Sequence, residues 1–105
     1  MSFADNLARL PPVNHLSRLE LVNGDAVVAV IENRPGSAGS VRVYAWLAQR
    51  FGRIDREAAA IGIQVYAEHG VDARKHPGKH PNIDRLFAIA EGGVPLRVIP
   101  IPAGQ

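Results

Sequence analysis

Cysteine is absent from the 105-residue chain, which excludes a disulfide framework, a thiolate nucleophile and a thiolate metal site. Any metal has to be held by His, Asp or Glu. The absence fits a reducing compartment. An excess of one charge is also missing, because ten arginines and two lysines face ten acids and leave a formal net charge of +2. That is too weak a field for a nucleic-acid surface. No stretch approaches the roughly 18 apolar residues of a membrane span. Met1-Ser2-Phe3-Ala4-Asp5 lacks the basic start and apolar run of a secretory leader. The expectation is a cytoplasmic protein without nucleic-acid or membrane partners. What is present is ordinary: 47% hydrophobic and 21% charged residues, close to the globular average. The length suits a single domain over residues 1–105.

Ser2 is placed to cap a short amphipathic helix through Leu10, with Phe3, Leu7 and Leu10 on one side and Pro11-Pro12 as its stop. From Leu16 to Val22 apolar and polar residues alternate, as in a half-buried strand. Asn23-Gly24-Asp25 then reads as a tight turn into Ala26-Val27-Val28-Ala29-Val30-Ile31, whose apolar character on both faces predicts a central strand. After a Gly/Ser-rich loop, Val43, Tyr44, Leu47, Ala48 and Phe51 share a helical face that ends at Gly52. Asp55 can cap a second helix carrying Ala58, Ile61, Gly62, Val65, Tyr66 and His69, with Gly70 as terminator and Gly62 allowing close packing. Asn82 can cap a third, with Ile83, Leu86, Phe87 and Ala90 inward. Val94 to Ile99 forms the last strand, and Pro95 and Pro100 mark it as an edge. The order helix, strand, strand, three helices, strand predicts an α+β fold, a small mainly antiparallel sheet covered by helices.

Chemistry concentrates between His69 and Asp84, which hold three of the four histidines and both lysines. His69, Asp72, His76 and His80 are candidate ligands for zinc or another divalent metal. Pro77, Gly78 and Pro81 oppose that reading, since histidines four apart converge on a helix and not on a broken loop. The same segment suits an anion, because Lys79 and His80 precede a helix whose free N–H groups attract phosphate or carboxylate, and Arg74 and Lys75 strengthen the field. Independently, Arg34-Pro35-Gly36-Ser37-Ala38-Gly39-Ser40 joins a strand to a helix, where glycines let backbone amides approach an anion and Ser37 adds a donor. No Lys follows Gly39, so this is not a P-loop. Ser40 as a plain N-cap accounts for the same residues.

Glu68, Asp72, His76, His80 and Asp84 are candidate general acids or bases, but spacing assigns no nucleophile, base and orienting acid. Asp72 and Asp84 are better suited to pair with Arg74 and Arg85 or to cap helix and turn ends, the usual role of exposed loop carboxylates. The lone Trp46 suits the core, with an exposed partner patch as the alternative. Glu32-Asn33-Arg34-Pro35-Gly36-Ser37, Tyr66-Ala67-Glu68-His69 and the run from His76 to Leu86 resemble a family of small bacterial proteins classed as a domain of unknown function. The resemblance spans nearly the whole chain. It implies a free-standing bacterial protein and supplies no activity or cofactor. Two functions follow from the residues: a binding domain for a small anionic ligand or a metal, with Arg34, Ser37, Arg74, Lys79 and His80 as anion ligands, or a homodimeric assembly protein completed by edge pairing or helix packing.

Overall fold

The computed structural model describes residues 1–104. The architecture is α+β, with a helix, a hairpin, a run of helices and a C-terminal strand in that order. Helix α1 (Phe3–Ala8) is capped by Ser2, whose side chain accepts from the Asp5 amide. Strands β1 (Leu16–Asn23) and β2 (Ala26–Glu32) form the hairpin, and Gly24 takes the positive φ of +60° that its turn requires. Helices α2 (Ala38–Phe51), α3 (Arg56–Tyr66), α4 (Glu68–Lys75) and α5 (Pro81–Ala90) follow, and β3 (Arg97–Pro102) closes the sheet.

The sheet is antiparallel with the order β2-β1-β3. β2 is therefore an edge and not the central strand its composition suggested, because β3 returns to the opposite side of β1. Its valines are correspondingly open to solvent: Val27, Val28 and Val30 are 52%, 53% and 45% exposed. β3 is an edge as its prolines predict, but begins at Arg97, later than expected, since Leu96 is engaged in a bridge to Ile54.

One face of the sheet, through Leu19, Leu21 and Ile31, packs into a core shared with Val41, Tyr44 and Leu47 of α2, Ala58 and Ala59 of α3, and Ile83 and Leu86 of α5. Gly62 fits where α2, α3 and α5 meet: a Cβ there would lie 2.7 Å from Leu47 Cδ1 and 2.9 Å from Leu86 Cδ1. Trp46 is half-buried against this core.

The span expected as a second helix ending at Gly70 is two helices, α3 and α4. The break is at Ala67, whose φ of 51° no continuous helix accommodates. Gly70 lies inside α4, and a Cβ on it would approach the Ile63 carbonyl oxygen at 3.2 Å. Close packing on α3 thus explains a glycine that resembled a terminator. Two caps also shift. Ser37, not Ser40, is the N-cap residue of α2, and His80, not Asn82, occupies that position for α5, where Pro81 takes the first helical place.

Candidate functional site

The break at Ala67 turns α4 back so that His69, in its first turn, faces the start of α5. The imidazoles of His69 and His80 lie 5.9 Å apart, and the Phe3 ring meets His69 edge-on at 5.1 Å. Phe3 also stacks on Tyr66 at 5.1 Å. The Phe3 amide donates to Glu68 Oε1 at 2.8 Å, and that bond holds the Glu68 carboxyl below its ordinary range. Glu68 therefore ties the start of α1 to the start of α4 and is engaged structurally.

Asp72 joins α4 to the loop before α5. Its Oδ2 lies 2.7 Å from His80 Nε2 and 3.0 Å from Lys79 Nζ, while His76 Nε2 stands 3.8 Å from Oδ1. The His80 hydrogen bond, then that of Lys79, hold its carboxyl at about 2, below the ordinary 3.8. A carboxylate only accepts, so Nε2 of His80 carries the proton, and Nδ1 has no hydrogen-bond partner among the described residues. Asp84 accepts from the Gly78 amide at 2.9 Å and closes the turn. The turn-capping role foreseen for Asp84 is the one it performs.

These elements enclose a cleft of about 460 Å³. Its walls bring together the two loops that the sequence keeps some forty residues apart, Gly36, Gly39 and Ser40 on one side and Lys79, His80 and Asn82 on the other. Phe3, Leu7 and Ile83 supply an apolar lining, and His69 and Tyr66 close the end. Among the lining residues, Gly39 and Ser40 in the first turn of α2 and Asn82 in the first turn of α5 have backbone amides with no acceptor among the described residues. They are the free donors that every helix start leaves, and here two helix starts open into one cavity.

Buried phenols fix the two starts. Tyr66 donates to Ser40 Oγ at 2.6 Å, and burial pushes its phenol above its ordinary range. Tyr44 donates to the Asn82 carbonyl at 2.6 Å and accepts from Arg85 at 3.2 Å, while Arg85 also reaches Asn82 Oδ1 at 2.9 Å. Burial pushes the Tyr44 phenol up to about 12, against the lowering influence of Arg85.

The expected site residues divide accordingly. Lys79, His80 and His69 line the cleft, with Asp72 behind His80. Ser37 donates to the carbonyls of Glu32 and Arg34 and serves the loop, while Ser40 lines the cleft in its place. Arg34 leans on Glu32 at 3.7 Å, and Arg74 pairs with Glu91 at 3.0 Å and covers the Phe87 ring at 4.1 Å. Neither arginine lines the cavity. His76 is largely exposed beside Asp72. Among the described residues no group of three His, Asp or Glu side chains is arranged to hold a metal ion. Phe3, Tyr66 and Asn82 were not anticipated. Their periodicity reads as apolar helix stripes and a cap, and only the folded chain sets them around a cavity.

Compared with known protein families, residues 3–100 match the one described as an uncharacterized protein conserved in bacteria, DUF2322. The chain belongs to the DUF2322 family. No curated protein and no solved structure matches it. Among the described residues no helix of this DUF2322 protein is long and apolar enough to cross a membrane.

Proposed function

We propose that this DUF2322 protein is a binding domain for a small organic anion, a molecule with one phosphate or carboxylate head and an apolar or planar body. The observation that carries the reading is the meeting of two helix starts in one cavity. Gly39, Ser40 and Asn82, whose amides have no acceptor among the described residues, share its lining with Lys79 and His80. Helix starts favour anions through their dipole and free donors together. Asp72 offsets part of the charge of Lys79, so the backbone donors supply most of the attraction, which fits a head group of low charge.

The cavity, at about 460 Å³, is larger than an inorganic anion needs and falls in the ~300–1,000 Å³ range of small-molecule sites. Phe3, Leu7 and Ile83 offer the body of the ligand apolar contact, and His69 offers a ring edge. His80, oriented by Asp72, presents Nδ1 as an acceptor when neutral and as a donor when protonated.

Amide chemical shifts during titration with inorganic phosphate test the head-group site. Saturable shifts centred on Gly39, Ser40 and Asn82, weakened in the Lys79→Ala and His80→Ala variants with the fold retained, are the expected result. Shifts scattered over the surface, or equal in the variants, overturn it. Native mass spectrometry on untagged protein reports at the same time whether zinc is retained, the outcome that would return His69, Asp72, His76 and His80 to a metal role.

A further inference from the structure

Asp72 does more for His80 than hold its ring in place. The His80 and Lys79 hydrogen bonds keep the Asp72 carboxyl at about 2, so at neutral pH it is ionised and only accepts. Its contact with Nε2 of His80 at 2.7 Å therefore requires the proton on that nitrogen, and in a neutral imidazole the other nitrogen then carries none. Nδ1 has no hydrogen-bond partner among the described residues. His80 lines the cleft and Asp72 does not. The ring is thus tethered by one nitrogen to α4 and presents the rest of itself, Nδ1 included, to the cleft.

The other polar side chains of the cleft can all donate. Lys79 only donates, Ser40 accepts from Tyr66 and keeps its own hydroxyl proton free, and Asn82 accepts from Arg85 through its oxygen and keeps its amide N–H groups. His69, with no hydrogen bond among the described residues, can carry its proton on either nitrogen. His80 is the one whose neutral form is obliged to accept. A plain anion offers acceptors only and leaves that lone pair unmatched, and a site with an unmatched polar group rejects such a ligand.

Position says where the ligand has to carry its donor. His80 is the N-cap residue of α5, two residues before Asn82, and its side chain accepts from no first-turn amide. Both residues line the cleft, so an anion held at Asn82 has the next atom of its body beside His80. We infer that the ligand of this cleft is an α-hydroxy carboxylate, whose carboxylate takes the helix starts and whose hydroxyl donates to Nδ1 of His80. This rests on the anion reading of the cleft and narrows it. An α-amino acid offers a donor on the same atom but brings an ammonium toward Lys79, which lines the same wall. Phe3, Leu7 and Ile83 receive the apolar body of the acid.

The test compares phenyllactate with phenylpropanoate, which lacks the hydroxyl, by amide shifts at about pH 8.5, above the range in which imidazoles ordinarily charge. Both acids are fully ionised there and differ only in the donor. Phenyllactate should bind roughly three- to tenfold tighter, the factor that one net hydrogen bond supplies. His80→Phe keeps a ring without an acceptor and should bring the two constants together. Asp72→Asn can donate to Nε2 as well as accept from it, which frees the tautomer and should narrow the difference. Nitrogen-15 imidazole spectra of the parent chain should place the His80 proton on Nε2. Equal constants for the two acids in the parent chain, or a difference that survives His80→Phe, overturn the inference. A cleft that takes inorganic phosphate but neither acid overturns the inference and leaves the anion reading standing, whereas one that takes none of the three ends both. Should His80→Phe not fold, a proton found on Nδ1 in the parent spectra overturns the inference by itself.

Discussion

The cleft and the β2 edge both leave backbone donors without partners, but they do so in different shapes. At the cleft, Gly39, Ser40 and Asn82, with unpaired amides at two helix starts, line one concave space of about 460 Å³. Along β2, an edge strand, the backbone groups of Val30 and Glu32 face away from β1 beside the exposed Val27 and Val28. Convergent donors suit a compact anion, whereas a linear array of alternating donors and acceptors suits another strand. The same deficit therefore has a concave setting in one region and a linear one in the other.

The largest effect expected in separating the two regions comes from Tyr44→Phe. It removes the donor to the Asn82 carbonyl and the acceptor for Arg85, and a buried pair left unsatisfied costs about 1–3 kcal/mol. Urea denaturation should show that loss, and phosphate titration should show weaker shifts at Asn82. Concentration-dependent sedimentation should be unchanged, since β2 is untouched. A change in sedimentation would break the comparison.

Ala67→Gly should stabilise the chain by about 1 kcal/mol, because alanine at a φ of 51° holds strain that glycine does not. Thermal melting checks the sign. The same variant sharpens the comparison by loosening the turn that aims His69, so phosphate shifts should weaken while the edge keeps its behaviour.

Asp72 sets an acid dependence confined to the cleft side. Its carboxyl is held at about 2 in the folded chain against an ordinary 3.8, so the unfolded state binds a proton first. The stabilisation is complete above about pH 5 and is lost progressively as pH falls through 3.8 and then through about 2. Denaturation midpoints followed over that window should fall less steeply for Asp72→Asn than for the parent chain.

The smallest change in stability is expected from Val28→Thr, under ~0.5 kcal/mol for an exposed strand position. Urea denaturation checks the value.

Local signals were legible wherever a residue acts on its own backbone. Ser2 and Asp55 accept from amides three residues on, and Gly24 and Gly52 take the positive φ their positions need. The two loops that open α2 and α5 were legible for the same reason, since glycine before a helix and Lys79-His80 before α5 are local patterns. The break at Ala67 was not, because alanine is the best helix former and only contacts around α4 hold it at positive φ. The edge position of β2 was not legible either, since an apolar strand reads alike whether the chain later pairs on its far side or on that of β1.

The sequence by itself determined the elements, their order and most of their caps, because helix and strand periodicity, turn chemistry and capping act over a few residues. Tertiary structure alone decided which of those residues share a site. It joined Gly39 and Ser40 to His80 and Asn82 through Tyr44 and Tyr66, sent Arg34, Arg74 and His76 elsewhere, and left β2 at an edge. Packing acts between residues far apart in the chain, and the α+β core had to assemble before its cleft existed.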